Sequence, residues 1–113
     1  MKKTVLIIDD EIDFCLLMKK YLTKREYTVN VSYSLMDGLA SLDSNPADVI
    51  FLDNNLPDGL GWEIAPGLAK KYPSTIINLI SAFHPAIPQF EIYDNLHVIE
   101  KPLSTQDIET YLT

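Results

Sequence analysis

The sequence is short of several things, and each shortage removes a class of function. Cys15 is the only cysteine among 113 residues. That rules out a disulfide framework and a cysteine-based metal cluster, and it suits a reducing, cytoplasmic compartment. Basic residues are few: 9 Lys and Arg stand against 16 Asp and Glu, for a formal charge of −7. Phosphate backbones are held by Lys and Arg, so the balance argues against direct nucleic-acid binding and against anionic membrane surfaces. No apolar run approaches the length of a membrane span. The start, Met1-Lys2-Lys3-Thr4, has the charge of an export signal for three residues only, and Asp9 and Asp10 interrupt the apolar stretch behind it. An export signal is therefore not expected. Neither histidine, His84 or His97, has a second metal ligand at useful spacing. Internal repeats, low-complexity tracts and linkers are also missing, so residues 1–113 read as one domain with length enough for a single core.

What is present is an alternation of strands and helices. Thr4 to Ile8 is a continuous apolar strand that stops at Asp9-Asp10-Glu11. Phe14, Leu17, Met18, Tyr21 and Leu22 follow at helical spacing and predict the inward face of a first helix, with Ile12 and Leu16 on its wetter side. Cys15 is expected to be a small filler on that helix. Tyr27 to Val31 alternates like an edge strand. Ser34 caps a second helix that runs to about Asp43, with Leu35, Leu39 and Leu42 inward. Val49-Ile50-Phe51-Leu52 is a strand buried on both faces, ending on Asp53. Asn54, Asn55, Pro57, Asp58 and Gly59 then read as turn residues. A third helix to Lys71 contains Pro66, which predicts a kink near Trp62 or a late start with the proline in the first turn. Thr75 to Ile80 is a fourth strand ending on Ser81. Pro85 and Pro88 allow at most a short fourth helix, from about Pro88 to Tyr93. His97-Val98-Ile99 is a fifth strand before Glu100-Lys101-Pro102, and Ser104 caps a last helix over Thr105 to Leu112. Such an alternation gives a doubly wound α/β sheet with helices on both faces.

In a parallel sheet the strand ends share one edge, which is where open α/β sheets place ligands. Asp9 and Asp10, Asp53, Ser81 and Lys101 therefore converge. At a separation of ~5 Å and an effective dielectric of ~20, each carboxylate pair costs about 3 kcal/mol, so the cluster wants a cation. Oxygen-only ligands suit Mg²⁺. Asp10, with Asp9 and Asp53, would hold the metal, and a carbonyl oxygen of Asn55 could complete the protein ligands. Asp53 can then attack phosphorus, while Ser81 donates a hydroxyl and Lys101 a positive charge to the phosphoryl oxygens.

An acidic pair after strand one, Asp53 after strand three, Leu56-Pro57-Asp58-Gly59 beyond it, Ser81 after strand four and Lys101-Pro102 after strand five stand in one order. In that order the chain resembles the receiver domain of two-component response regulators over essentially its whole length. The resemblance implies a flavodoxin-like five-stranded sheet of order 2-1-3-4-5. It implies that a histidine kinase or histidine phosphotransfer protein passes a phosphoryl group to Asp53 with Mg²⁺ bound. It also implies a monomer or phosphorylation-dependent dimer acting on a downstream output domain or protein. Partners of the family commonly dock on the first helix, where Ile12 and Leu16 would form an apolar centre.

The sequence departs from the family between Ser81 and Lys101. The position three before the lysine, commonly an aromatic that changes rotamer on activation, is Val98, and Pro85 and Pro88 break the usual fourth helix. An altered readout is expected, and Phe83 is expected to shield the acyl phosphate from water. One rival is a receiver-like interaction module that no longer uses phosphorylation. An aspartyl phosphatase is disfavoured because Asn55 stands where its acid would be. A flavin carrier is disfavoured because no Thr/Ser-rich phosphate loop follows strand one.

Overall fold

The computed structural model describes residues 3–82 and 93–112. Phe83, His84, Pro85 and Pro88, and with them the short fourth helix expected to end at Tyr93, lie outside the described residues apart from Tyr93 itself. Among the described residues, β1 (Thr4–Ile8), β2 (Thr28–Ser32), β3 (Val49–Asp53), β6 (Ile76–Ser81) and β7 (Leu96–Glu100) form one sheet in the order β2-β1-β3-β6-β7. Every pairing in it is parallel. Counting sheet strands alone, this is the expected order 2-1-3-4-5. The short strands β4 (Asn55–Leu56) and β5 (Gly59–Leu60) make a separate antiparallel ribbon just beyond β3.

Helices α1 (Ile12–Lys24), α2 (Leu35–Ser44), α3 (Gly61–Lys71) and α4 (Thr105–Thr110) cover the sheet. Because side chains alternate along a strand, each central strand feeds two cores. Leu6, Ile8, Ile50, Leu52, Ile77 and Leu79 pack with Leu35, Leu42, Ala65 and Leu68 of α2 and α3. Val5, Ile7, Val49, Phe51 and Ile80 pack with Cys15, Met18 and Leu22 of α1 and Ile108 near the end of the chain. β3 is buried at all five positions, as its uninterrupted apolar run requires.

Capping follows the sequence closely. Ser34 accepts from the Asp37 N–H at the start of α2, and Ser104 with Asp107 forms a reciprocal capping box on α4. The end of α4 is tied to α1 by Glu109, which accepts from the Tyr21 hydroxyl at 2.7 Å and pairs with Arg25. On the edge of the sheet away from the strand ends, the Asn95 side-chain amide donates to the carbonyls of Ala69, Tyr72 and Thr75.

Two expectations are corrected. Leu17 was assigned to the inward face of α1 but is 69% exposed, alongside Ile12 and Leu16. Cys15 takes its place in the core because the buried stripe of α1 runs through Cys15, Met18 and Leu22. Helix α3 does not start late: it begins at Gly61 and carries Pro66 in its interior. Pro66 has no N–H to give the Trp62 carbonyl, and the burial of Ala65, Leu68 and Ala69 against the sheet offsets that lost bond.

Gly67 lies on the exposed side of α3, and a Cβ placed there meets nothing within 4 Å. Replacing it with alanine removes the entropy cost of a mid-helix glycine. Gly67→Ala should stabilise the fold by about 0.5–1 kcal/mol in chemical denaturation, with an unchanged m-value.

Candidate functional site

The carboxyl edge of the sheet brings together the six residues expected to act. Asp9 follows β1, Asp53 ends β3, Ser81 ends β6 and Lys101 follows β7. One carboxylate oxygen from each of Asp9, Asp10 and Asp53 lies within 4.8 Å of the others. Asp9 is wholly buried and Asp53 nearly so, while Asp10 is exposed at the mouth. The Lys101 ammonium is 3.2 Å from Asp53 Oδ1, 4.0 Å from Asp9 Oδ2 and 3.1 Å from Glu11 Oε1. Ser81 is buried on the strand beside β3, one register step beyond the Ile80 that faces Asp53. Its carbonyl accepts from the Lys101 N–H, which fixes the two strand ends to each other. Asn55 is exposed, and its backbone N–H lies near enough to the Asp53 carboxylate to favour its charged form.

Local structure behind Asp53 is unusually tight. A Cβ at Gly61 would come within 2.7 Å of the Asp53 carbonyl oxygen, so only glycine lets α3 start directly behind the site. Asn54 locks the same turn. Its N–H donates to the Ile80 carbonyl, its own carbonyl accepts from Gly61, and its side-chain oxygen caps α3 by accepting from the Trp62 N–H.

The electrostatics follow from burial of like charges. Burial pushes the Asp9 carboxyl up to about 6, against the Glu11 N–H that it accepts, and the nearby Asp53 charge adds to the rise. Burial also raises Asp53, with the Lys101 ammonium and the Asn55 N–H pulling it back. At Lys101 burial works against the charge, but the bonds to Glu11 and Asp53 and the proximity of Asp9 outweigh it, and the ammonium is held above its usual value. Cys15 lies directly beneath, its thiol donating to the Asp9 carbonyl at 3.4 Å. Burial, and then the Asp9 charge, pushes that thiol up to about 12, so it keeps its proton.

The donor set fits a hard divalent cation. Asp9 Oδ2 is buried and accepts no hydrogen bond, an orphan of the kind a cation would satisfy. Three carboxylates crowd together there, two of them paired with the Lys101 ammonium, and all the donors are oxygen. Sequence reasoning missed three contributors: Glu11, which holds Lys101; Asn54, which caps α3; and Asp58, which caps α2 by accepting from the Leu35 and Met36 N–H groups at 2.8 and 2.9 Å. The crowding of acids around Glu11 was a usable signal. Asp58 gave none, because its partners lie more than twenty residues upstream.

The charge crowding makes a stability prediction. A carboxyl that keeps its proton longer in the folded chain stabilises the fold below its ordinary value of 3.8 and loses that contribution as pH rises through about 6. In metal-free buffer at pH 7.5, Asp9→Asn should therefore raise the melting temperature by about 5–10 °C, the equivalent of roughly 1–2 kcal/mol. The advantage should shrink as pH is lowered toward 4. The variant should also lose most of the stabilisation that Mg²⁺ gives wild type. Thermal unfolding across pH, with and without Mg²⁺, measures all three.

Comparison with known proteins places the chain in a family. The family model described as the response regulator receiver domain matches residues 5–113. The sensory transduction protein LytT of Bacillus anthracis is 35% identical over 108 residues, which is 92% of this chain and 43% of that protein. The regulatory protein VanR of Enterococcus faecium is 33% identical over 79 residues, or 70% of this chain and 34% of that protein. The chain thus spans less than half the length of these curated relatives. Among solved structures, the receiver domain of an HD domain-containing protein from Pseudomonas fluorescens aligns with a TM-score of 0.83 at 22% identity, covering 99% of this chain and 92% of that one. The response regulator TrrA of Thermotoga maritima, solved in complex with Mg²⁺ and BeF, aligns at 0.82 and 23% identity, covering 97% and 95%. With a whole-length family match, two relatives at a third identity and the same sheet order, the chain belongs to the response regulator receiver domain family.

Proposed function

We propose that the chain is a phosphorylation-dependent switch in a two-component or phosphorelay system, with Asp53 as phosphoryl acceptor. Phosphorylation by a histidine kinase is the standard function of the family. The observation that carries the assignment to Asp53 is its position: a buried carboxylate at a strand end, 3.2 Å from the Lys101 ammonium and within the acidic cluster of Asp9 and Asp10. An Asp53 oxygen forms a bond to phosphorus as the donor's phosphorus–nitrogen bond breaks, and that bond's electron pair returns to the imidazole of the histidine kinase or phosphotransfer protein. Lys101, already charged and already touching Asp53, attracts the phosphoryl oxygens. Ser81 offers its hydroxyl from the neighbouring strand end. Asp9 and Asp10, with Asp53 and the backbone of Asn55, are the groups that would hold Mg²⁺. When bound, Mg²⁺ supplies the charge that lets a dianionic group approach three carboxylates. TrrA, a fold relative, holds Mg²⁺ and BeF together.

The same residues make the chain an assistant to its own phosphorylation and dephosphorylation and not an enzyme on a separate substrate. Val98, half-buried and paired with Leu79, packs into the core under α3, so the readout does not use the aromatic rotamer common in the family. Output passes to a downstream domain or protein in the cytoplasm, from a monomer or a phosphorylation-dependent dimer. No helix among the described residues is long and apolar enough to cross a membrane.

Incubation with a small-molecule phosphodonor and Mg²⁺, followed by intact-mass analysis, tests the acceptor. Wild type should gain one phosphoryl group and Asp53→Asn none; an adduct of equal yield in both would overturn the assignment. The exposed apolar face of α1 makes a second prediction. Ile12, Leu16 and Leu17 are 59%, 58% and 69% exposed and adjoin the acidic loop, where a phosphodonor protein would dock. Acidic substitution of Ile12 and Leu16 together should slow transfer from a protein donor by about tenfold or more. Phosphorylation by the small donor should be spared, and equal loss with both donors sinks the docking role.

A further inference from the structure

The ribbon beyond Asp53 is fastened at both ends. At its base, Asn54 bonds to Ile80, Gly61 and Trp62. At its tip, between β4 and β5, Asp58 reaches across to α2. Its two carboxylate oxygens accept separately from Leu35 N–H at 2.8 Å and Met36 N–H at 2.9 Å. Leu56 of the ribbon is buried in the same apolar cluster as Leu35. Asn55 lies between these two anchors, paired with Leu60 across the ribbon, with its N–H near the Asp53 carboxylate.

We propose that Asp58 is a positioning residue for the site at Asp53: by clamping the ribbon tip to the start of α2, it sets the Asn55 backbone beside Asp53 in the place from which it serves a divalent cation. This rests on the functional reading above. The geometry favours it over simple helix capping for two reasons. First, α2 already has a cap of its own, because Ser34 accepts from the Asp37 N–H. Asp58 therefore adds a link between two elements, where a local cap would have sufficed. Second, the only cross-strand ladder that orders Asn55 has two residue pairs, Asn55 with Leu60 and Leu56 with Gly59. A ladder so short is marginal without outside support. The Asp58 bonds supply that support from a rigid helix end, and they are charge-assisted, which makes them stronger than neutral ones. The two amides hold the Asp58 carboxyl below the usual carboxylate range, as expected for a group that stays ionised in this role.

The arrangement separates two roles that usually coincide. Loss of either Ser34 or Asp58 removes a cap from α2 and lowers stability. Only loss of Asp58 frees the ribbon. The test is Mg²⁺ titration of wild type, Ser34→Ala and Asp58→Ala, followed by fluorescence of Trp62, the only tryptophan in the chain, whose N–H is capped by Asn54. Amide exchange at Asn55 and Leu56 is measured in parallel, without metal. Asp58→Ala should raise the Mg²⁺ Kd by about tenfold, the usual cost of losing a group that orients a metal ligand. It should also speed exchange at Asn55 and Leu56. Ser34→Ala should leave both unchanged. If Asp58→Ala does not fold, Asp58→Asn decides, since its amide keeps one acceptor oxygen for two N–H groups and should give a smaller shift in the same direction. An unchanged Kd and exchange rate for the Asp58 variant, or an equal change in the Ser34 variant, overturns the positioning role. Failure of wild type itself to bind Mg²⁺ would instead strike at the functional reading.

Discussion

The carboxyl edge of the sheet is governed by a charge imbalance. Asp9, Asp10 and Asp53 carry oxygens within 4.8 Å of one another, while the Lys101 ammonium pairs with Asp9 and Asp53 and is shared with Glu11. At that spacing each like-charge pair costs about 3 kcal/mol at an effective dielectric of ~20. A sheet that holds such a cluster must be rigid, because any freedom would be spent in moving the charges apart. The two buried cores supply that rigidity. β3, buried along its whole length, holds Asp53 between β1 and β6, and the Lys101 N–H to Ser81 carbonyl bond ties the neighbouring strand end in place. A bound cation relieves that stress, and it would make room for the further negative charge of a phosphoryl group.

How much of this could be read from the residues depended on distance along the chain. Strands ending on chemistry-bearing residues were legible because an apolar run followed by a charge marks both the strand and its exit. Parallel topology then forces Asp9, Asp53, Ser81 and Lys101 to one edge whatever their separation in sequence. Local caps at Ser34 and Ser104 were equally plain, since donor and acceptor lie three residues apart. Leu17 is the exception on the expected stripe of Phe14, Leu17, Met18, Tyr21 and Leu22, because the helix is turned so that Cys15, Met18 and Leu22 face the core, and only tertiary packing sets that rotation. Of the two outcomes that Pro66 allowed, the late start does not occur, because burial of Ala65 and Leu68 around the proline holds the first turn of α3. Asp58 and Asn95 were illegible for another reason. Their hydrogen bonds join segments whose meeting depends on the finished fold.

The turn after Asp53 shows how few residues are needed to build a site once the sheet exists. Asn54, Gly61 and Asp58 make no claim on a phosphoryl group. One caps α3, one lets α3 start against the Asp53 carbonyl, and one grips α2. Between them they attach the loop to both helices on that face of the sheet. On the other side of the site, Val98 is half-buried on β7 and paired with Leu79. The chain's connections beyond Asp53 run to α2 and α3.

Cys15 adds a consequence of a different kind. Its sulfur sits under the acidic loop, covered by α1 and bonded to the Asp9 carbonyl. Burial and the negative charge above it both oppose ionisation, and a thiolate is what peroxides and electrophiles attack. The charge that prepares the edge of the sheet for a cation therefore also keeps the only thiol of the chain chemically silent. One field thus does two jobs, drawing a metal ion to the edge of the sheet and keeping sulfur chemistry out of the core beneath it.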